Sequence, residues 1–231
     1  GDFTIQTCDR DRPTTYVRCP REWRRWEISL WPEEEADDVT TDEFIWPRLR
    51  PKITPDEGRI ARKAVYSFES KLATRWREGR LLIAGDAAHL MPPFLGQGMN
   101  ASFEDCTVID SLIKRHNGSW NNVFSEFSNI HVPNGHAIAN MALENYIEMR
   151  DSVNDPIFKK RREIEFELEK KFSNRFIPRY SMVSFHDLPY SKVYERGETQ
   201  LKLIDGYLSK RLSRDQLYES IMNDLSPIES G

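Results

Sequence analysis

The chain has 231 residues, 39% hydrophobic and 30% charged, a globular composition with a polar surface and material for one large domain or two small ones. A net charge of −4 supplies no electrostatic argument for nucleic acid or an anionic membrane surface. No apolar run approaches the ~20 residues of a membrane span, and the opening GDFTIQTCDRD has neither the basic nor the apolar region of a signal peptide. Three cysteines (Cys8, Cys19 and Cys106), odd in number and without a C-x-x-C pair, fit a reducing cytoplasm.

Residues 3–31 read as a β-meander. Phe3, Ile5 and Thr7 alternate with polar residues, then Thr14, Tyr16 and Arg18, then Trp26, Ile28 and Leu30, with turn-rich DRDRP and CPRE as breaks. Cys8 and Cys19 could face each other on a hairpin, though unlinked strand thiols are the plainer reading. The chain begins inside a strand pattern and without an initiator Met, as a fragment would. PEEEADD (32–38) reads as a solvated acidic loop or helix start, and a short helix is expected over 40–50, cut at Pro47 and Pro51.

TPDE (54–57) has the form of a capping box: Thr54 caps, Pro55 takes the first helical position and Glu57 reaches back. A strand is expected over 64–70, with Tyr66 and Phe68 on one face. RWREGR then turns the chain into a strand over 81–84. From Asn100 the period becomes helical, with Met99, Phe103, Cys106 and Leu112/Ile113 as one stripe. Further helices are expected over 136–153 and 156–172, the second opened by Asp155 as cap and Pro156 as first residue. Its seam is Ile157, Ile164, Leu168 and Phe172. RFIPRYSMVSF interrupts, and 190–228 reads as helical and polar. Strands first and helices last predict an α+β class.

The stretch LLIAGDAAHLMPPFLGQGMNASFEDC (81–106) concentrates the chemistry. Gly85 lets the backbone turn close to a ligand. Asp86, at the end of a parallel-type strand, is placed to accept hydrogen bonds from sugar-like hydroxyls. Pro92 and Pro93 stiffen the loop, and Gly96 and Gly98 give it positive-φ freedom. The loop delivers backbone N–H groups at a helix start, where they and the helix dipole favour negative charge. A reduced flavin carries its negative charge at the N1/C2 edge, so the loop could hold that edge while Asp86 holds the ribityl chain. A plain turn is the rival reading. His89 reads as structural.

On the helix over 136–153, Ile138, Met141, Ala142 and Met149 form the apolar face, and Asn145 lies on it. A buried amide without partners costs roughly 1–3 kcal/mol, so Asn145 has a helix-packing or a binding role. The five histidines (His89, His116, His131, His136, His186) lack metal-ligand spacing, and no metal is expected.

GDAAHLMPPFLGQGMN closely resembles the second flavin motif of the class A FAD-dependent aromatic hydroxylases, the p-hydroxybenzoate hydroxylase superfamily. The resemblance implies a fragment of their FAD-binding α/β fold: a partial antiparallel sheet, a strand–loop–helix flavin motif and a helical C-terminal half. It implies FAD contacts at Gly85, Asp86, Pro93, Gly96, Gln97, Gly98, Met99 and Asn100. Phe94 would face substrate, followed by Leu95 where the family often has Phe or His.

Two flanks resemble two branches of that superfamily. Residues 1–99, with RRWEISLWPEE and AVYSFESKLATRWREGRLLIAGDAAH, resemble 3-(3-hydroxyphenyl)propionate and phenol hydroxylases. Residues 100–228, with NASFEDCTVIDSLIKRH, ALENYIEM and RFIPRYSMVSFHDLPYSKVYERG, resemble bacterial kynurenine 3-monooxygenases. The change falls at GQGMN, which both branches share. Recombination, a joining of two genes and an intermediate lineage are all open. The second resemblance carries contacts with the substrate's amino-acid tail to Asn145 and Tyr180, and leaves Arg179 on the surface.

The implied organisation is 1–75 as part of a substrate-domain sheet, 76–116 as the second FAD motif and 117–231 as a helical region. The implied activity is hydroxylation of an aromatic ring ortho to an amino or hydroxyl group through a flavin C4a-hydroperoxide, using O2 and NADPH (or NADH), with no side-chain nucleophile. The substrate is kynurenine or, in the alternative, a hydroxyphenyl acid. A third reading is a non-catalytic fragment or chimera. No nucleic-acid partner or membrane anchor is expected. No G-x-G-x-x-G follows any strand, so the AMP half of FAD has no site here. The family's main carboxylate-binding arginine and a second tyrosine are missing too. This chain alone is expected to be inactive and to bind FAD weakly or not at all.

Overall fold

The computed structural model describes residues 4–7, 9, 11–50, 52–67, 69–92, 95–152 and 155–228. The chain divides into two units, Gly1–Phe68 and Glu69–Gly231.

In the first unit the expected meander forms. Strands β1 (Ile5–Thr7), β2 (Thr14–Arg18) and β3 (Arg24–Ile28) make an antiparallel sheet in the order β1-β2-β3. The alternation sets the register: Tyr16 pairs with Ile5 on one side and Trp26 on the other. The Tyr16 and Trp26 rings lie 5.2 Å apart, an aromatic cross-strand pair contributing about 0.5–1.5 kcal/mol beyond its buried area. Cys19 bonds to Trp23 O at the β2–β3 turn, the far end of β2 from the β1–β2 connection. Cys8 and Phe3 lie outside the described residues.

The acidic run is more than a solvated face. Arg12 grips Glu34 through two hydrogen bonds of 2.7 and 2.8 Å and also donates to Ser29 O, while Trp31 N donates to Glu34. The Arg12 hydrogen bond, aided by Trp31 N–H, holds the Glu34 carboxyl at about 2, against a weaker opposing push from burial. A depressed carboxylate pKa stabilises the fold above the ordinary value and loses that contribution as pH falls through the folded one. Near-UV circular dichroism should therefore change between pH about 4.5 and 2 in the wild type. Glu34→Gln should show the altered signal already at neutral pH.

Helix α1 spans Ala36–Val39 and α2 spans Asp42–Leu49, the latter capped by Thr41 Oγ1 accepting from Phe44 N at 3.2 Å. Pro47 was expected to cut this helix but lies inside it. One lost backbone bond is tolerated where Arg48 covers the Phe44 ring at 3.5 Å. At 54–57, Glu57 does reach back to Thr54 N at 2.9 Å, but Thr54 Oγ1 donates to the same carboxylate instead of capping. Only a turn forms, and Gly58 follows it. Nor is there a strand over 64–67, which is irregular and exposed. Phe68 lies outside the described residues.

In the second unit β4 (Lys71–Leu72) pairs with β7 (His89–Leu90), and β5 (Arg77–Glu78) pairs with β6 (Leu81–Leu82), both antiparallel. The strand before Gly85 is thus one arm of a hairpin turned at Gly79 (φ 57°), not the parallel-type strand expected. Helices α3 (Gly98–Arg115) and α4 (Trp120–Ile147) follow, α4 continuing into a π-helical turn at Glu148–Ser152. The helix expected from 136 begins at Trp120, because Val123, Phe127 and His131 already give it a buried face.

The C-terminal helices are α5 (Pro156–Lys171), α6 (Arg179–Phe185), α7 (Tyr190–Leu208) and α8 (Arg214–Asp224). Asp155 caps α5 as expected, accepting from Ile157 N at 2.8 Å. Ser213 and Gln216 form a full capping box on α8. The tail is less polar than its composition: Leu203, Ile204, Leu217, Ile221 and Leu225 bury against Ile164, Leu168 and Phe176. Ile157, expected in that seam, is exposed.

On α3 the expected stripe splits: Met99 is 67% and Phe103 62% exposed and Cys106 is exposed, whereas Leu112 is buried and Ile113 packs against the core. Its buried residues are Ala101, Asp105 and Leu112. The reason is packing: Leu112 joins Trp76, Ala88, Val123 and Phe127 in one core cluster, and this turns the Met99 side away from the strands and α4. Among the described residues, the second unit is mainly helical with small antiparallel sheets, and no helix is long and apolar enough to cross a membrane.

Candidate functional site

The hairpin delivers the chain through extended Ala84 into Gly85, whose φ is +60°. This left-handed conformation favours glycine, and a Cβ there would also sit 3.4 Å from Ser102 Oγ. A 3-10 turn over Gly85–Ala87 follows, closed by Ala88 N bonding to Gly85 O at 2.8 Å. Asp86 projects from this turn and is exposed. Its Oδ1 lies 3.4 Å from Ser102 Oγ, one turn into α3. The strand tip and the helix start thus meet around one exposed carboxylate.

The loop between them has a buried Pro92 and half-buried Met91 and Leu95. Pro93 and Phe94 lie outside the described residues. Gly96 adopts φ +67° with open space where a Cβ would be. Gly98 does not have the positive φ expected of it; it is the first residue of α3. Gln97 stands at the N-cap without a side-chain cap, its Oε1 accepting instead from Asn100 Nδ2 at 2.9 Å. No acidic side chain occupies the first turn. An 18-residue helix therefore presents N–H groups and the positive end of its dipole beside Asp86, Met99 and Asn100. This fits a flavin, which needs an acceptor for the ribityl hydroxyls and donors for an electron-rich ring edge.

Asn145 and Tyr180 come from different helices that one ion pair joins. Arg179 Nη1 meets Glu144 Oε2 at 2.6 Å, so the residue before Tyr180 docks on the residue before Asn145. Asn145 is half-buried near the end of α4 and donates to Met149 Sδ at 3.3 Å. Tyr180 is 53% exposed. Arg179 is not the free surface side chain expected: it is 23% exposed, approaches Glu148 and Glu198 at 4.0 and 3.9 Å, and packs over Gly197. Tyr194 OH also donates to Glu144, at 2.9 Å. Burial pushes the Glu148 carboxyl upward, with Arg179 opposing. Met91 and Leu95 of the loop pack against Ile138, Met141 and Met182 of α4 and α6, so the Pro/Gly loop and the helices carrying Asn145 and Tyr180 share one apolar cluster.

A cluster missed in the sequence lies beneath the turn. Asp105 Oδ2 accepts from Gly85 N at 2.7 Å and His89 Nε2 at 2.9 Å, and Oδ1 accepts from His131 Nδ1 at 2.8 Å. All three side chains are at most 4% exposed. The ring nitrogens face the carboxylate, and among the described residues no metal-holding group of His, Cys, Asp or Glu occurs. The available signal was the spacing of Ala101, Asp105, Val108 and Leu112, which sets a carboxylate on a helical stripe.

Residues 10–119 match a family model described as "FAD binding domain". The kynurenine 3-monooxygenase of Cytophaga hutchinsonii is 39% identical over 158 residues, 68% of this chain and 34% of that protein. Those of Myxococcus xanthus and Stenotrophomonas maltophilia are 46% and 44% identical, over 57% and 56% of this chain and 27% and 29% of their own length. The chain thus spans about a third or less of the curated relatives it matches. A match of 158 residues within 231 runs across GQGMN wherever it begins, as does the family-model match. Among solved structures, tetracycline destructase Tet(51) covers 80% of this chain and 51% of its own at 14% identity and a TM-score of 0.46, too loose a likeness to define the fold.

Proposed function

We propose that this chain, a relative of the FAD-dependent aromatic hydroxylases and similar to their kynurenine 3-monooxygenases, carries the isoalloxazine-side loop and substrate-tail helices of such a monooxygenase. The observation that carries the reading is the exposed Asp86 on its positive-φ turn, set against the uncapped N-terminus of α3, inside the stretch matched by the FAD-binding model.

In this reading 76–116 is the second FAD motif, 1–75 belongs to a substrate-side sheet and 117–231 is the helical region. Gly85, Asp86, Pro93, Gly96, Gln97, Gly98, Met99 and Asn100 line the flavin. Asp86 accepts hydrogen bonds from ribityl hydroxyls. The N–H groups at the start of α3 stabilise negative charge on the ring edge without reorganising. When bound, FAD takes electrons from NADPH or NADH and activates O2 for transfer to an aromatic ring. Asn145 and Tyr180 hold the polar tail of the substrate, with Phe94 over its ring. Met91 and Leu95 keep that side apolar and exclude water. Kynurenine is the substrate this arrangement favours, and no membrane or nucleic-acid contact is needed.

The test is protein-observed NMR on the 231-residue chain, which detects millimolar binding. FAD should shift the amides of 84–88 and 96–100. Asp86→Ala should weaken the response about tenfold or more, the loss of a hydrogen bond to a charged acceptor. With FAD present, kynurenine should perturb Asn145 and Tyr180 more than 3-(3-hydroxyphenyl)propionate does. Equal shifts in Asp86→Ala would sink the flavin reading, and an unmoved loop at millimolar FAD would sink the claim that this chain alone holds the isoalloxazine side.

A further inference from the structure

Three donors converge on a single carboxylate. Asp105 comes from α3; His89 of β7 and His131 of α4 donate to it, and the third donor is the backbone amide Gly85 N, at 2.7 Å. Gly85 is the positive-φ residue that aims Asp86. An ionised carboxylate in a dry core is costly unless donors surround it, and three donors meet this one. The imidazoles are held in turn: His131 stacks on Phe127 at 4.6 Å and 7°, and His89 lies 5.3 Å from the Trp76 ring.

The cluster also fixes tautomers. Donation to Asp105 requires the proton on Nε2 of His89 and on Nδ1 of His131. The opposite nitrogens, His89 Nδ1 and His131 Nε2, are buried without a partner among the described residues. A bare lone pair there costs less than a buried N–H with no acceptor, so each ring keeps the single proton that faces Asp105. A carboxylate serving only to fill space would not need three donors from separate elements. Here the third donor belongs to the turn that presents the flavin ligand.

We propose that Asp105, oriented by His89 and His131, is a positioning residue for the flavin: it locks the Gly85 amide and thereby sets the angle at which Asp86 meets the ribityl hydroxyls. This rests on the FAD reading given above. The consequence is specific. Loosening the cluster frees Gly85 and weakens flavin binding even where the fold persists. Asparagine at 105 keeps the volume but offers Gly85 N a neutral amide oxygen in place of a carboxylate, an acceptor weaker by about tenfold in equilibrium constant, and its NH2 faces one histidine N–H and forces that ring into the other tautomer.

The experiment compares 15N-labelled wild type, Asp105→Asn and Leu168→Ala, the last a destabilising change in the remote cluster of α5, α7 and α8. Ring 15N shifts should report Nδ1–H for His131 and Nε2–H for His89 in wild type, with one ring switched in Asp105→Asn. Hydrogen exchange at Gly85 should rise about tenfold or more in Asp105→Asn, and FAD should bind about tenfold more weakly. Leu168→Ala should leave the tautomers, Gly85 relative to its neighbours and FAD affinity unchanged. Equal protection of Gly85, or equal FAD affinity, in Asp105→Asn overturns the proposal. So does the same pattern in Leu168→Ala, which would mark global stability as the cause. If wild type fails to respond to FAD, the claim that this chain alone holds the flavin fails and the flavin role of Asp105 falls with it. A response that Asp105→Asn retains refutes the positioning role alone.

Discussion

Asp105→Ala should destabilise the unit 69–231 by about 3–5 kcal/mol, the loss of one acceptor shared by three buried donors. The substitution deletes the acceptor of Gly85 N, His89 Nε2 and His131 Nδ1 together. Each orphaned donor costs about 1–3 kcal/mol, and the summed loss is moderated because a buried charge disappears and water enters the gap. Asp105→Asn, which keeps one acceptor, should lose less than half as much. Urea unfolding followed by tryptophan fluorescence measures both. The pH dependence has a definite sign. Burial pushes the Asp105 carboxyl upward, but the hydrogen bonds from His131, His89 and Gly85 outweigh it and hold the group well below the usual carboxylate range. Its contribution is therefore complete above the unfolded value of about 4 and lost as pH falls below it. The gap between wild type and Asp105→Asn should narrow on that acid limb. A gap that is constant down to pH 3 would contradict the assignment of an ionised Asp105.

Gly135→Ala should cost up to about 2 kcal/mol net, although the same change in an open helix gains about 1 kcal/mol from propensity. A Cβ at 135 would lie 2.7 Å from Trp76 Cζ2 and 2.9 Å from Cη2. Trp76 is 2% exposed and sits 6.1 Å from the Phe127 ring and 5.3 Å from His89, so the indole is held between two rings. Overpacking of this kind costs about 1–3 kcal/mol, enough to reverse the propensity gain. In a Trp76→Leu background the clash is absent, and Gly135→Ala should be neutral or stabilising there. A loss of the same size in both backgrounds would place the cost elsewhere than at the indole. Because Trp76 leans on His89, Gly135→Ala should also shift the His89 ring resonances, connecting helix packing to the cluster beneath the flavin turn.

Local chemistry was legible in the residues. The alternation of Ile5, Thr7, Thr14, Tyr16, Trp26 and Ile28 prescribes the meander and its facing pairs, since a strand's period of two leaves one register that puts Tyr16 against Trp26. Asp155–Pro156 marks the start of α5 because a cap needs only its own neighbours. GDAAHLMPPFLGQGMN carries the positive φ of Gly96, though not the one expected of Gly98, and the family resemblance, both properties of a contiguous string. TPDE carried a local signal of the same kind, and its side-chain half formed. The helix did not, because Gly58 follows and the next residues offer no buried face.

Other features were decided between elements. Which stripe of α3 turns inward depended on where Trp76, Ala88, Val123 and Phe127 lie, and the more hydrophobic-looking stripe of Met99 and Phe103 faces out. Pro47 and Pro133 sit inside helices because side-chain packing outweighs one missing backbone bond. Arg179 became the center of an ion-pair group only because α4, α6 and α7 meet there. The sequence by itself determined the meander, the α5 cap and the loop string that resembles a hydroxylase flavin motif, since each is written in neighbouring residues. Only the tertiary structure brought His89, Asp105 and His131 together under Gly85, because their separations of 16 and 26 residues close through the packing of β7, α3 and α4, which no local period encodes.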